Sequence, residues 1–362
     1  MKNYFDTLKS FSNLGNLTFP HGSFKNTVSN ALYGLNTLST ERIYSANRDK
    51  MGFVFFTRPQ LNLTDININY ISQLYNLKTT SPDAIQTFVR CTLDPRLMLS
   101  NGNYGKPIKS NLVNNQLCFI PILTNSCMSL SGWPDKVLPT FETSEGARGE
   151  VYSMADGSRD MFGVFDLDAT FQNIQDSPVH MMFDAWTEYI SEVFEGIIDP
   201  YIDYLVHREI DYNTRIYRII TDDTDRFVKQ IYACGAAYPL QTSDSKFADY
   251  NTSSAYNMNN KEINIRFRCM GALYNDPKLL LEFNLAVAQF NPAVRNCILT
   301  GQEPYGINNQ GLIKIPSYMK TLFNYHAIPF INLHIGELCW LVNVNDKVTA
   351  NLIKDLEINF QE

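Results

Sequence analysis

The segment Glu262-Ile-Asn-Ile-Arg-Phe-Arg-Cys-Met270 sets the strictest limit on what this chain can fold into. Polar and apolar residues alternate one by one up to Cys269. A period of two fits a β-strand with one buried face, and it does not fit a helix. The alternation also pins the register. A slip of one residue would expose Ile263, Ile265, Phe267 and Cys269 and bury Asn264, Arg266 and Arg268. The first four therefore belong against a core and the last three outside it. Both signs of charge stand on the outward side, Glu262 beside Arg266 and Arg268. That mixture suits water or a complementary subunit equally well.

Other strand-like runs lead up to this one. They cover residues 216–221, 227–234 and 235–239, joined by polar connections around 222–225, 243–245 and 257–260. Earlier in the chain, 53–56 reads as a strand stopped by Pro59. Residues 66–77 and 82–92 read as short helices. Residues 117–124 are apolar on both faces and fit a buried strand or packing segment. Residues 161–171 have strand character. The best helix spans 178–198, with Phe183, Trp186, Ile190, Val193, Phe194 and Ile197 at helical spacing. A second helix opens at Pro277 and stops before Pro292. Strand signals return at 311–315, 329–333 and 337–344. Residues 1–50 are polar with little periodicity and are expected to be an extended arm held by partners. Residues 131–160, rich in Gly, Ser and charge, are expected to be a long loop that is functional or fixed by a partner.

Few residues point to chemistry. No phosphate loop, GxSxG or HExxH pattern is present. Asp222, Asp223 and Asp225 could hold a hard cation, but they lack the glycine and distal glutamate of a calcium loop, and a solvated turn is the better expectation. Asp166 and Asp168 share a strand face. They could do acid–base work, but a polar face at a subunit boundary is preferred. The seven cysteines (Cys91, Cys118, Cys127, Cys234, Cys269, Cys297 and Cys339) form no CxxC pair and show no ligand spacing with the five histidines. Buried reduced thiols are expected, with no metal and no cofactor. The net charge of −7 argues against a basic nucleic-acid-binding face but allows a surface past which DNA slides. The first residues lack an apolar signal core and no apolar run approaches ~20 residues, so neither export nor membrane insertion is expected.

The order of elements from 216 to 276 resembles the tail-tube fold of contractile-tailed bacteriophages and related injection machines. A strand with aromatic and glycine content runs into Ala237-Tyr238-Pro239. A polar stretch with Phe247-Ala-Asp249-Tyr follows, and then the alternating strand 261–270, near Tyr274. The resemblance covers about a sixth of the chain. It implies an α+β protein with an antiparallel β-barrel or sandwich of tail-tube type, helical insertions and a smaller C-terminal mixed region. The expected divisions are an arm at 1–50, a mixed α/β region with the long loop at 51–160, a tube-like barrel with an inserted helix at 161–276, and a C-terminal α+β region at 277–362.

The resemblance further implies a non-enzymatic virion protein of the phage tail, made in the host cytoplasm. Copies would form a ring, commonly hexameric, in the tube or at the tube–baseplate junction, as a tube initiator does. Partners would be neighbouring tube and baseplate proteins, and DNA would pass through the lumen without specific binding. The inter-subunit strand would present Glu262, Asn264, Arg266 and Arg268. The alternatives are another virion component (neck, sheath or baseplate wedge) and a hydrolase using paired carboxylates.

Overall fold

A computed structural model describes residues 47, 49–69, 71–79, 81–98, 107–157, 163–250, 252–253, 260–300, 303–305 and 311–355. The arm expected at 1–50 lies almost wholly outside them. In chain order the strands are β1 (Lys50–Phe56), β2 (Cys127–Ser131), β3 (Thr140–Glu142), β4 (Ser153–Ala155), β5 (Val164–Gln172), β6 (Ile216–Thr221), β7 (Val228–Pro239), β8 (Glu262–Tyr274), β9 (Leu312–Ile315), β10 (Ile328–Asn332) and β11 (Glu337–Asn343). The helices are α1 (Asp65–Asn69), α2 (Ile85–Leu93), α3 (Pro121–Ser126), α4 (Pro178–Glu195), α5 (Ile202–His207), α6 (Asp244–Ala248), α7 (Lys278–Phe290), α8 (Pro292–Thr300) and α9 (Lys347–Asp355). The protein is a mixed helix-and-sheet molecule. The β2–β5, β5–β8, β7–β8, β3–β4, β10–β11 and β9–β11 pairings are all antiparallel.

The chain divides into two compact units. One comprises 54–218 and 232–274; the other comprises 1–53, 219–231 and 275–362. The main sheet has six strands in the order β1-β6-β7-β8-β5-β2, so β1 and β2 are its edges. The alternation in β8 has its expected effect: Ile263, Ile265, Phe267 and Cys269 are buried, while Asn264 and Arg266 are exposed. On β5, Leu167, Ala169 and Phe171 are buried beside them. Helices and strands of the first unit share one core, so the helices of 65–126 are not separate from the strands that follow.

This sheet is strongly curved. In its strand order, Phe56 on β1 is three strands from Phe267 on β8 and four from Phe171 on β5. At ~4.8 Å per strand a flat sheet would hold β1 and β5 about 19 Å apart. The ring centroids of Phe56 and Phe171 are 5.6 Å apart, and those of Phe56 and Phe267 are 5.8 Å apart. The two sides therefore bend toward each other around these rings. Among the described residues the sheet does not close on itself.

Helix α4 covers this core. Pro178 stands in its first turn, where a missing N–H costs nothing. Gly196, at φ 75°, ends it by taking the left-handed conformation that only glycine adopts cheaply, with its N–H on the carbonyls of Glu192 and Val193. Val179, Met182, Phe183, Ala185, Trp186 and Tyr189 are buried. Full burial ends at Tyr189. The helix runs on past the core, so Phe194 and Ile197 meet solvent although they continue the apolar spacing.

Two further expectations are corrected. Of the two readings of 117–124, the packing segment holds and the strand does not: 117–120 are buried and meet the end of β1 through an isolated bridge between Thr57 and Phe119, the Ile120 N–H on the Phe56 carbonyl and the rings of Phe55 and Phe119, and Pro121 starts helix α3. Residues 131–160 are not a structureless loop, because β3 and β4 pair within them as a hairpin.

In the other unit, β11 lies between β10 and β9. Asn284 of α7 is buried and works as a strand in miniature. Its Nδ2 donates to the Ile331 carbonyl at 2.7 Å, and the Ile331 N–H donates to its Oδ1 at 2.9 Å. It thereby satisfies backbone groups of β10 that lack a strand on that side. Glu337, 3 % exposed, takes Arg226 Nε at 2.5 Å and Lys314 Nζ at 2.7 Å. Burial pushes its carboxyl up, but these cations outweigh burial and hold it below the usual carboxylate range.

Candidate assembly surfaces

Three surfaces could carry function: the outward face of the main sheet, the turn between β6 and β7, and the hairpin β3–β4. On the outward face, Asp168 stands opposite Arg266 and Asp166 opposite Arg268 in the β5–β8 register. Arg266 Nε donates to Asp168 Oδ1 at 2.9 Å. Arg268 Nε lies 2.8 Å from Asp166 Oδ1, an ion pair without hydrogen-bond alignment. The hydrogen bond to Asp168 raises the Arg266 guanidinium further above its already high value. Each carboxylate is thus neutralised by an arginine across the strand. Two carboxylates held this way do not form an acid–base pair.

Glu262, Asn264, Arg266 and Arg268 line this same face. Their strand is internal, with β5 on one side and β7 on the other. The backbone of β8 is therefore already paired, and only its side chains are available to a neighbour. Among the described residues the terminal strands of the sheet are β1 and β2 instead.

The turn between β6 and β7 is built rather than solvated. Asp222 is 3 % exposed. Its Oδ1 accepts the N–H groups of Arg226 at 2.9 Å and Phe227 at 3.0 Å, and Thr224 Oγ1 donates to Oδ2 at 2.5 Å. Burial pushes its carboxyl up, but these hydrogen bonds together hold it below the usual range. Asp225 sits at φ 58°, accepts from Thr221 Oγ1 at 2.8 Å and lies 3.6 Å from Lys320. Among the described residues no group of His, Cys, Asp and Glu is arranged to hold a metal ion.

Polar residues that sequence reasoning passed over form a buried network. Asp94 is fully buried and accepts from Tyr201 Oη at 2.8 Å, Leu63 N at 2.9 Å and Arg96 N at 3.1 Å. Burial pushes its carboxyl up to about 6. Arg58 donates to the carbonyls of Cys91 at 2.6 Å and Thr92 at 3.0 Å, at the C-terminal end of α2. Burial lowers the Arg58 guanidinium to about 10. A shifted carboxyl can mark an active site. Asp94 is sealed from solvent, so this one fixes the Leu63 and Arg96 amides and the Tyr201 hydroxyl. The free cysteines are buried except Cys127, which is half-buried.

The hairpin has an anchored base and an uncovered arm. Gly132, at φ 105°, lies so close to β5 that a Cβ would stand 2.3 Å from the Asp166 carbonyl. Trp133 packs on the rings of Phe165, Tyr232 and Tyr274. Beyond it, every residue from Asp135 to Gly157 except Thr143 is exposed. Phe141 pairs with Met154, and Tyr152 lies one step further on the same face. Thr140, Glu142, Ser153 and Ala155 form the other face. A two-stranded hairpin of this length is marginal alone in water, and this one carries an open apolar face.

The family model described as "Putative phage tail tube protein" matches residues 3–356. The chain belongs to this tail tube family. The match extends over nearly the whole length, well beyond the sixth that carried the resemblance in sequence. As a tail tube family member the chain is a structural component of a phage tail. No curated protein matches its sequence.

Among solved structures, the chain is similar to the tube-terminating cap of the anti-feeding prophage, at 16 % identity over 42 % of this chain and 80 % of that one, with TM-score 0.27. It is also similar to the sheath/tube terminator of an extracellular contractile injection system in its extended state, at 13 % identity over 44 % and 87 %, with TM-score 0.25. A third is a chain of that system's extended sheath–tube complex, at 15 % identity over 43 % and 82 %, with TM-score 0.26. No helix among the described residues is long and apolar enough to cross a membrane.

Proposed function

We propose that this tail tube family member forms a closed ring of identical copies, hexameric in keeping with the resemblance, in the tail tube or at its junction with the baseplate, where it acts as a tube initiator. The observation that carries the proposal is the curved main sheet, open among the described residues, with β1 and β2 as its terminal strands. Open edges invite pairing with another chain, and closing a ring removes them. Pairing β1 of one copy with β2 of the next would extend the curved sheet into a shared β-barrel. Glu262, Asn264, Arg266 and Arg268 would then face the lumen or the adjoining subunit through side chains alone. The charge pairs on that face leave DNA little to bind as it passes. The hairpin β3–β4 reaches a neighbouring tube or baseplate protein, and its apolar face is buried there. The protein is made in the host cytoplasm and resides in the virion tail.

The test is to purify the full chain and measure its mass by light scattering, alone and with neighbouring tail proteins. A closed oligomer is expected, with substitution of Met128 on β2 by proline reducing it to smaller species. A compact monomer that persists with every partner present overturns the ring.

A further inference from the structure

Helix α4 carries a charge stripe that the rest of the described chain leaves uncompensated. Asp184, Glu188, Glu192 and Glu195 recur at intervals of four, four and three, so they share one side of the helix. None of them makes an ion pair among the described residues. Glu192 Oε2 is shielded from solvent and accepts no hydrogen bond among the described residues. Burial, then Glu192, Asp184 and Glu195, push the Glu188 carboxyl above its usual range. Like charges four apart weaken a helix, so the stripe is a local cost that a cationic partner would relieve.

An uncovered apolar surface follows the stripe along the chain. Phe194 is 91 % exposed, and Ile197, Ile202, Leu205 and Val206 are exposed after it. A concentration of this kind marks an interaction surface more often than a free one. Its occupant should be apolar and aromatic, and positively charged where it meets the stripe.

One segment of the chain has that composition. Residues 1–48 hold Lys2, Lys9, Lys25, Arg42 and Arg48 against Asp6 and Glu41. They are therefore net +3 in a chain of net −7, which leaves −10 for the remainder. They also hold seven aromatic residues, among them Phe5, Phe11 and Tyr44. A basic N-terminal segment on an acidic chain reads as an interaction tail.

We infer that residues 1–48 of a second copy of this chain dock on the α4 carboxylate stripe and the exposed apolar residues after it. The inference rests on the self-assembly proposed above. Tail and surface complement each other but not themselves, so the contact is heterologous and passes from each copy to the next. The ion pairs should make it weaken as salt rises.

The test uses the full chain with a photo-crosslinking phenylalanine analogue at Phe11. Isotopically light and heavy chains are mixed before assembly, irradiated and mapped by mass spectrometry. Light–heavy cross-links into residues 181–210 are expected. Two variants keep the fold intact by changing exposed positions only: Asp184→Lys with Glu195→Lys, and Phe194→Ser. Reversing two charges should lower the cross-link yield about tenfold, since attraction becomes repulsion at both sites. Cross-links that fall elsewhere, join residues of one copy only or keep their yield in both variants overturn the inference. If rings still form while cross-links miss α4, the docking fails and the ring stands. If the chain stays monomeric, both fail.

Discussion

Phe267 and Asn264 are three residues apart on one strand and should differ sharply when truncated. Phe267 is fully buried, with its ring 5.8 Å from Phe56 and 5.7 Å from Phe183. Phe267→Ala removes the ring that joins the bent sheet to α4, and truncations of this kind cost about 3–5 kcal/mol. Asn264 is exposed on the other face, and Asn264→Ala should stay within about 0.5 kcal/mol. In a unit of roughly 200 residues each kcal/mol moves the melting temperature by about 2–4 °C. Phe267→Ala should therefore lower Tm by roughly 6–20 °C, and Asn264→Ala should barely move it. Thermal melts followed by near-UV circular dichroism would show both. Equal losses in the two variants would refute the register and the curved core built on it.

Asp222→Ala should cost about 1–3 kcal/mol by leaving the Arg226 and Phe227 amides without their acceptor, whereas exposed Asp223→Ala should be near neutral; urea titrations compare them. Glu337 and Asp222 are both held below their usual range, so the stability they supply is present above about pH 4 and is lost as pH falls through their lower folded values. Asp94, pushed up to about 6, works the other way: the folded chain holds its proton more tightly than the unfolded chain, so ionisation between about pH 4 and 6 takes stability away. A carboxyl titration by NMR should find its midpoint near 6, and a midpoint below about 4 would show that its hydrogen bonds outweigh its burial. Deleting residues 137–157 should leave the melting temperature unchanged and block association with neighbouring tail proteins; a large drop in Tm would show that the hairpin belongs to the core.

The parts of the fold legible in sequence are those with a strong local period. Strand β8 announced itself by alternation, α4 by its apolar spacing and Pro178, and β9 to β11 by short apolar runs. Helix α8 was hidden because Pro292 reads as a stop, while proline in a first turn equally begins a helix. The hairpin was hidden by its composition, although Thr140-Phe-Glu142 and Ser153-Met-Ala155 flank a glycine-bounded turn. The exposure of Phe194 depends on where the core ends, which no helical spacing encodes. Asp222 reads as part of a solvated turn, and nothing local marks Asp94 or Arg58, because most of their partners are backbone groups brought in by the fold. The internal position of β8 likewise came only with the strand order, and it moved the candidate edges to β1 and β2.

The most direct test of the ring is electron-microscopic imaging of the purified full-length protein with class averaging of end-on views. Closed rings are expected in which density runs continuously between β1 of one copy and β2 of the next. Discrete monomers, or rings whose neighbouring copies touch without sheet continuity at those two strands, would contradict it.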